Sequence, residues 1–357
     1  MKPSDILSVD DVVARLGTFR SIIDARSPAE FKDDHLPGAA NAPVLSDAER
    51  TSVGTIYKQR SGFEAKRVGA ALVARNIAQH LETIFANQPR EWAPLVYCWR
   101  GGNRSSALAL VLERVGWRPV LLEGGYKAFR QRVINDLARL PLPLRFIVVA
   151  GRTGSGKSLL LAKLAERGAQ VLDLEALARH RGSVLGRLPG EEQPTQRRFE
   201  TELWTRLRGF DPARPVYVES ESRRIGMCHL PEALMHTMRA GRCLIVQASL
   251  PTRVALLLAD YQHFVEAPGL LHESLGRLTT LHGHDTIGRW RDLLRAGQWT
   301  ALVSELLERH YDPAYDRSMI RNYTKLDAAG IVEVTAASDE AISEAATELL
   351  RVACAQS

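Results

Sequence analysis

Short apolar runs alternate with helical patterns in the first part of the chain. Strands are predicted at 21–24, 94–97 and 120–122, and each ends in a polar or glycine-rich turn. After the first of them, Ser27 and Pro28 form a good N-cap and first helical position. Strands that alternate with helices at these spacings predict a small parallel α/β sheet.

The second part of the chain shows the same alternation. Apolar, often β-branched runs predict four further strands, at 145–150, 169–175, 215–221 and 242–247. From about Glu266 onward the pattern indicates helices, interrupted by a polar turn at 311–316. This part therefore predicts a second α/β fold followed by a helical region.

A proline-rich segment separates the two parts. Pro141, Leu142 and Pro143 form a stiff linker, and 357 residues are enough for two or three domains. We predict an N-terminal domain over residues 1–140, with a helical insert at about 46–90. A P-loop-containing domain with a helical C-terminal region is predicted over residues 141–357.

A cysteine in an anion-binding turn is the first candidate for chemistry. Cys98 follows the apolar run 94–97 and precedes a glycine-rich turn and a helical segment, so it lies in a positive field. Such a field lowers the pKa of a thiol, and Arg100 and Arg104 add donors for a tetrahedral anion. The alternative is a buried core cysteine that ends a strand. The remaining residues of this anion loop are Trp99, Gly101, Gly102, Asn103 and Ser105.

A phosphate-binding loop is the second candidate. A predicted strand runs directly into residues 151–158, and a helical pattern follows, which matches GxxxxGK[ST] in its required context. The glycines let backbone amides turn toward a diphosphate, Lys157 supplies a point charge, and Ser158 can bind Mg²⁺ or a phosphate oxygen. The predicted diphosphate-binding residues are Gly151, Gly154, Ser155, Gly156, Lys157 and Ser158.

Further candidates are an acid and two groups of basic residues. Glu219 ends a predicted strand where a Walker-B acid lies, so it is either an acid beside a magnesium ion or a structural strand-end acid. Basic and aromatic side chains suit an RNA backbone and its bases, although solvated helical surfaces have the same composition. The candidate tRNA-binding residues are Tyr57, Lys58, Arg181, Arg223 and Arg224.

The amino-acid composition excludes only a few classes of function. The net charge of +6 permits a nucleic-acid partner without requiring one. The four cysteines lack metal-ligand or disulfide-framework spacing, so we predict no structural metal and a reducing, cytoplasmic location. The start of the chain is not a signal peptide, and no apolar stretch is long enough to span a bilayer. We expect a monomer without a membrane partner.

Three motifs in the first 140 residues resemble those of rhodanese domains. The first combines Asp24-x-Arg26-x-x-x-Glu30-Phe31 with the segment from His35 to Pro43. The second is the anion loop, and the third is the Leu122–Tyr126 segment. Five residues, rather than the usual four, separate Cys98 from Arg104, and in related folds that length accompanies phosphatase-like chemistry. This departure points to a phosphate-bearing donor.

A rhodanese-like domain followed by a P-loop domain resembles the arrangement in one family, the bacterial tRNA 2-selenouridine synthases. The resemblance covers nearly the whole chain and includes the anion loop, residues 151–158, Asp173-Leu174-Glu175, the segment 180–183 and the segment 219–222. It implies an α/β fold, with an N-terminal rhodanese-like parallel-sheet domain followed by a P-loop NTPase-like α/β domain whose C-terminal part is helical.

The resemblance also implies substrates. Members of this family exchange sulfur for selenium in 2-thiouridine at the tRNA wobble position, using selenophosphate. They also transfer a geranyl group from geranyl diphosphate to that sulfur, and the S-geranyl nucleoside then receives selenium. On this basis Cys98 is expected to carry selenium, Arg100 and Arg104 to hold the selenophosphate, and the P-loop to bind the diphosphate, with Mg²⁺ as a candidate there.

Two other functions remain open on the sequence. One is a rhodanese- or phosphatase-like enzyme with an ATP-using P-loop domain that acts on a phosphorylated small molecule. The other is a non-catalytic RNA-binding module with a degenerate rhodanese domain, against which the intact Cys98, Arg100 and Arg104 argue.

Overall fold

The computed structural model describes residues 5–183, 185–186, 190–323 and 329–355, apart from the side chains of residues 318, 320–322 and 355. The chain forms two compact units. Unit 1 comprises residues 1–137 and 194–205, and unit 2 comprises residues 138–193 and 206–357. Residues 194–205 thus belong to unit 1, although the sequence predicts a second domain that runs without interruption from residue 141.

Unit 1 is built on a five-stranded parallel sheet in the order β1-β5-β4-β2-β3. The predicted parallel α/β sheet is confirmed, and two helices occupy the predicted insert. The elements of unit 1 before residue 138 are β1 (Asp5–Leu7), α1 (Val9–Ala14), a 3₁₀ turn (Leu16–Thr18), β2 (Ile22–Asp24), α2 (Pro28–Asp33), β3 (Ala39–Asn41), α3 (Asp47–Gln59), α4 (Gly62–Glu82), β4 (Leu95–Tyr97), α5 (Asn103–Val115), β5 (Val120–Leu122) and α6 (Gly125–Leu137).

The core of unit 1 lies on the central strands. Ile23 of β2 and Val96 of β4 pack with Leu108 and Leu112 of α5 in one buried cluster that also includes Cys98. Burying apolar side chains on a central strand stabilises it by roughly 1.5–3 kcal/mol each. The cluster therefore fixes the strand that delivers Cys98 to the loop after it.

Unit 2 contains a second five-stranded parallel sheet, in the order β12-β11-β6-β8-β7. Its elements, together with α9, are β6 (Phe146–Ala150), α7 (Lys157–Glu166), β7 (Gln170–Leu172), α8 (Leu174–Ala178), α9 (Gln196–Arg208), β8 (Val216–Glu219), β9 (Arg224–Ile225), β10 (Cys228–His229), α10 (Glu232–Ala240), β11 (Arg242–Ala248), α11 (Leu250–Asp260), α12 (Gln262–Glu266), α13 (Pro268–Gly276), α14 (Thr279–Arg295), α15 (Trp299–Leu306), a π-helical turn (Leu307–Tyr311), α16 (Asp312–Asn322), β12 (Gly330–Val334) and α17 (Asp339–Ala355).

The C-terminal region is mostly helical, as predicted, but the sequence analysis misses one strand in it. Strand β12 pairs in parallel with β11, and its Val332 and Val334 are buried against the sheet. Ile331 on the opposite face is exposed, which gives the period-two alternation of a half-buried edge strand. Helix α17 follows and packs its Ile342 and Leu349 in the same core cluster.

The predicted polar turn at 311–316 is also wrong, because α16 begins at Asp312. Pro313 lies in the first turn of that helix, where a missing backbone N–H costs nothing. Helices α12 to α15 form a separate apolar cluster around Trp290 and Leu302. No helix in the described part of the chain has the length and apolar character needed to cross a membrane.

Candidate active sites

The thiol of Cys98 lies at the carboxyl end of β4, directly before the N-terminus of α5. Its side chain is buried, and the Ser105 hydroxyl donates a hydrogen bond to Cys98 Sγ (3.2 Å). Burial alone raises the pKa of the thiol, but this hydrogen bond, the amides of Arg100 and Ser105 and the charge of Arg104 together lower it below its ordinary value. A lowered pKa increases the thiolate fraction, and the thiolate is the nucleophile.

The backbone of the anion loop is held from one side by the turn between β5 and α6. The amide of Tyr126 donates to the Cys98 carbonyl (2.8 Å), and the amide of Lys127 donates to the Trp99 carbonyl (2.9 Å). Gly125 has a φ of 58°, and a Cβ there would lie 2.3 Å from the Cys98 carbonyl oxygen. The Leu122–Tyr126 segment recognised in the sequence therefore positions the loop, and position 125 requires glycine.

Replacement of Gly125 by alanine is expected to destabilise unit 1 by roughly 3–5 kcal/mol, since left-handed strain and a backbone clash both apply. Gly38 is the matched control, because its φ of 77° is similar but its Cβ would meet no atom within 4 Å. Gly38→Ala should cost only about 1–2 kcal/mol. Chemical denaturation measures both values, and equal losses would contradict the clash.

The two arginines of the loop occupy different environments. Arg100 is exposed, whereas Arg104 is largely buried and forms an ion pair with Glu30 (2.6 Å). Glu30 also accepts from Arg50 (3.0 Å) and from the Ser27 amide (3.2 Å). Burial raises the pKa of Glu30, but Arg104, Ser27 and Arg50 outweigh it and leave the pKa below its ordinary value. Glu30 was recognised in a motif but not as a site residue, and it now emerges as the group that positions Arg104.

The remaining loop residues have mixed roles. Trp99 is half-buried with its ring 5.3 Å from that of Tyr126, while Gly102 and Asn103 are exposed. Gly101 has a φ of 67°, and a Cβ there would lie 2.8 Å from the Leu122 carbonyl oxygen. Only Cys98 and Ser105 of this group are buried, so a ligand can approach the other loop residues from solvent.

The Asp24 and Arg26 motif forms a buried support for this region. The Arg26 guanidinium donates to the Asp24 carboxylate (2.6–3.0 Å) and to the Asp34 carbonyl (2.6 Å), and it lies 3.9 Å from the ring of Tyr126. Both members of the pair are at most 1% exposed. A buried pair with these additional partners fixes the first turn of the domain but is closed to a ligand.

In unit 2, residues 151–158 form the predicted strand–loop–helix. Gly154 and Gly156 have φ values of 80° and 85°, and a Cβ at Gly154 would lie 2.9 Å from Leu257. Lys157 begins α7, and its Nζ donates to the Gly151 carbonyl (2.6 Å). The buried Ser155 hydroxyl has no hydrogen-bond partner among the described residues. This loop therefore has the left-handed glycines, helix N-terminus and lysine that cradle phosphates.

Three glutamates lie beside the P-loop. Glu219 accepts from the amides of Leu174 (2.6 Å) and Glu175 (2.8 Å), so it caps α8, while its other carboxylate oxygen has no partner among the described residues. Ser158 donates to Glu175 (3.1 Å). Burial raises the pKa of all three acids, to about 7 for Glu221, and burial also lowers the pKa of Lys157.

These acids allow a test of P-loop binding by pH. Glu221 lines the pocket that contains Lys157, and its pKa of about 7 means that it is mostly neutral at pH 6 and anionic at pH 8. Its carboxylate repels a bound anion, so pyrophosphate affinity should fall with rising pH in wild type relative to Glu221→Gln. The ratio of the wild-type dissociation constant to that of Glu221→Gln should rise roughly three- to tenfold from pH 6 to pH 8. Metal-free calorimetry with both proteins measures it, and the comparison cancels the ligand's own titration; a constant ratio would contradict the assignment.

A Mg²⁺ ion would fit this site only with help from the ligand. Among the described residues, no group of three or more His, Cys, Asp or Glu side chains is arranged to hold a metal. Ser158 and Glu175 are adjacent, and hard oxygen ligands of this type share Mg²⁺ with substrate phosphates. Glu219 caps α8 through one carboxylate oxygen, which is the structural role that the sequence offered as an alternative for this acid.

Residues distant in the sequence complete the P-loop site. The Gly151 amide donates to the Tyr315 hydroxyl (2.5 Å), and Arg152 pairs with Asp316 (2.7 Å). Arg253 donates to the Thr153 carbonyl (2.8 Å) and forms a buried pair with Asp312. The side chains of Arg253, Asp312, Tyr315 and Asp316 were not predicted to belong to a site, and the polar composition of 311–316 was the only signal.

The candidate tRNA-binding residues are distributed over both units. Tyr57 and Lys58 are exposed on α3 of unit 1. Arg223 and Arg224 are exposed at the β9–β10 hairpin of unit 2, where Arg224 donates to the Gly226 carbonyl (2.7 Å). Arg181 pairs with Asp260 (2.6 Å) beside the P-loop. RNA binding by these residues stays a prediction.

Together, the two sites define a protein with a rhodanese-like unit and a P-loop unit. Family models agree: the rhodanese-like domain matches residues 8–132, and the tRNA 2-selenouridine synthase AAA domain matches residues 144–278. Full-length relatives extend this match across both units. The chain belongs to the tRNA 2-selenouridine synthase family, which confirms the resemblance seen in the sequence.

Three curated relatives carry the name tRNA 2-selenouridine synthase. The protein from Alcanivorax borkumensis is 36% identical over 349 residues, which cover 87% of this chain and 94% of that protein. The protein from Aeromonas salmonicida is 33% identical, with 82% of this chain and 86% of that protein covered. The match to the Nitrosomonas europaea protein is 36% identical and covers 73% of this chain and 68% of that protein.

Proposed function

We propose that this protein replaces sulfur by selenium in 2-thiouridine at the wobble position of tRNA. Its relatives are named for the synthesis of 2-selenouridine in tRNA. The observation that carries the proposal is the Cys98 thiol, whose pKa is lowered by hydrogen bonds and by Arg104 at the end of a parallel strand. Such a thiol suits covalent work on an oxyanionic donor.

Selenophosphate is the proposed selenium donor. Its phosphate group would bind the backbone amides of the anion loop and the exposed guanidinium of Arg100, with Arg104 held nearby by Glu30. Helix α5 directs its N-terminus at this loop and favours an anion there. The five residues between Cys98 and Arg104 give a loop of phosphatase-like length.

The electron balance determines which atom of selenophosphate the Cys98 thiolate attacks. If the thiolate attacked selenium, the phosphorus group would leave with the bonding pair as phosphite, so a cysteine-bound selenide with phosphate release would require an oxidant. Attack at phosphorus balances: the S–P bond forms, the P–Se bond breaks, and selenide leaves with its electron pair. Water then hydrolyses the S-phosphocysteine to thiol and phosphate. We therefore replace the selenium-carrier role expected from the sequence by a phosphoryl-acceptor role for Cys98.

Phosphorus NMR distinguishes the two routes. With thiolated tRNA, geranyl diphosphate and selenophosphate present, attack at phosphorus should yield inorganic phosphate in amounts equal to the selenouridine formed. Phosphite as the product would overturn the phosphoryl-acceptor role and return Cys98 to carrying selenium.

The P-loop is proposed to activate the base by geranylation. The sulfur of 2-thiouridine would attack the first carbon of geranyl diphosphate, and Lys157, Ser158 and the loop amides would stabilise the departing diphosphate. An alkylated sulfur is a better leaving group than a thiocarbonyl, so selenide can displace it from C2 of the base. When bound at Ser158 and Glu175, Mg²⁺ would neutralise part of the diphosphate charge.

The tRNA would be bound through phosphate contacts and stacking by Tyr57, Lys58, Arg181, Arg223 and Arg224. Neutralising phosphates releases counterions, so affinity should fall steeply with salt. We propose that the protein acts on this tRNA as a monomer in the cytoplasm.

Nucleoside analysis by mass tests the whole proposal. Thiolated tRNA is incubated with the protein and both donors, and one donor is left out in each control. Geranyl diphosphate alone should give S-geranyl-thiouridine, and both donors should give 2-selenouridine. Phosphate release from a generic phosphoester without tRNA, and no change in the nucleosides, would instead favour the phosphatase-like alternative suggested by the five-residue loop.

A further inference from the structure

An apolar slot lies among the helices of unit 2. Its walls come from α11, α12, α13, α15 and the π-helical turn after α15, and they include Phe264, Leu271, Trp299, Val303 and Leu306. The cavity volume is about 70 Å³, against the roughly 10–15 Å³ that one water molecule needs. The slot therefore has room for several non-hydrogen atoms between apolar walls.

The slot adjoins the P-loop pocket. Five residues line both: Thr153, Ser183, Leu257, Tyr261 and Tyr311. Thr153 belongs to the P-loop itself, and Leu257 lies so close to Gly154 that a Cβ there would be 2.9 Å from it. A group attached to a diphosphate at Lys157 would therefore begin at the mouth of the slot.

The chemistry of the walls restricts what can occupy the slot. Water between apolar walls finds few hydrogen-bond partners, so replacing it with an apolar ligand is favourable. A nucleotide base, in contrast, needs several convergent donors and acceptors. Beyond the shared mouth, the residues that line the slot are aliphatic or aromatic, including Leu185 and Val265. The walls therefore favour a hydrocarbon over adenine as the group next to the diphosphate.

We propose that this slot binds the hydrocarbon chain of the prenyl diphosphate whose diphosphate occupies the P-loop, and that its walls set the accepted chain length. The inference rests on the proposed geranyl transfer and adds where the chain lies. Val303 is suited to a test, because it is half-buried, lines the slot and is absent from the P-loop pocket.

Calorimetry with a ligand series provides the test. Pyrophosphate, dimethylallyl diphosphate and geranyl diphosphate carry the same diphosphate on chains of increasing length. Wild type should bind geranyl diphosphate roughly tenfold or more tightly than pyrophosphate, with the shorter chain between them. Val303→Phe should fill the slot and remove most of this gain while leaving pyrophosphate affinity within about twofold. Ala301→Phe is the matched control, since Ala301 is exposed on the same helix.

Failure of the slot and failure of the proposed function give different results. If wild type binds geranyl diphosphate no more tightly than pyrophosphate, or if Val303→Phe keeps the gain, the slot assignment is overturned while diphosphate binding by the P-loop stands. The other result is that wild type binds geranyl diphosphate more tightly than pyrophosphate, and Val303→Phe loses this difference, while no geranyl group is transferred to tRNA. In that case the slot assignment stands and the proposed function fails.

A second variant tests the slot if the Val303→Phe substitution damages the fold. If Val303→Phe also loses pyrophosphate binding, Val303→Ala decides the question. This variant enlarges the slot and should raise affinity for farnesyl diphosphate relative to geranyl diphosphate at least about threefold. An unchanged ratio would overturn the inference.

Discussion

Replacement of Cys98 by serine is expected to reduce selenium incorporation into tRNA by about three orders of magnitude or more. The serine hydroxyl can keep a hydrogen bond near Ser105, but its far higher pKa prevents the ionisation that the loop amides and Arg104 promote in the thiol. Geranyl transfer should stay within about twofold of wild type, because the P-loop lies in the other unit. Nucleoside mass analysis of the modified tRNA measures both products in one digest.

Cys354 provides the matched control for this prediction. It is an exposed cysteine near the end of α17, and Cys354→Ser removes a thiol without touching the anion loop. This variant should retain both selenation and geranylation. Substantial 2-selenouridine formation by Cys98→Ser would defeat the assignment, and loss of both products in that variant would show damage to the fold rather than to the chemistry.

Much of both sites could be predicted because anion-binding loops are local structures. The anion loop and the P-loop each combine a strand, a glycine turn and a helix N-terminus within about a dozen residues, so the amides that face an anion are encoded next to each other. Cys98 and Lys157 were found for this reason. Glycines such as Gly125 and Gly154, whose φ values exclude most other residues, also mark such turns directly in the sequence.

The missed residues all act across long sequence separations. Glu30 positions Arg104 from 74 residues away, and Tyr315 reaches the Gly151 amide from 164 residues away. The sequence positions of Glu30 and Tyr315 do not predict their partners, because each contact forms only after the sheet and the helices have assembled. The same holds for strand β12, whose pairing with β11 stabilises a short edge strand that lacks a long apolar run.

The segment 194–205 belongs to unit 1, although the sequence predicts it within the second domain. The buried Phe199 and Trp204 of α9 supply apolar packing. Thr201 donates to Asp34 (2.9 Å), and Trp204 donates to Asp136 (2.9 Å), both in unit 1. Burial raises the pKa of Asp34 to about 6, against the opposing effect of hydrogen bonds from Tyr126 and Thr201. This part of α9 therefore belongs to the support of the rhodanese-like unit.

The division into two units implies that the two chemistries can be separated by mutation. Cys98 is activated by groups of unit 1, and Lys157 is surrounded by Gly151, Glu175 and Glu221 of unit 2. If S-geranylation supplies the species that accepts selenium, a defect in unit 2 should block both products from thiolated tRNA. A defect in unit 1 should block only the second, and S-geranyl tRNA should accumulate.

Replacement of Lys157 by alanine is therefore expected to lower geranyl transfer about 10²-fold or more, since it removes the cation that stabilises the departing diphosphate. Selenation of tRNA that already carries the S-geranyl group should remain near the wild-type rate, and so should alkylation of Cys98 by iodoacetamide. Lys163→Ala is the matched control, because Lys163 lies on the same helix and pairs with Asp339 (2.8 Å) rather than facing the P-loop, and a surface pair of this type contributes little. An unchanged rate of geranyl transfer in Lys157→Ala would remove the diphosphate role from the P-loop, whereas slow selenation of pre-geranylated tRNA would show that Lys157 also serves the second step.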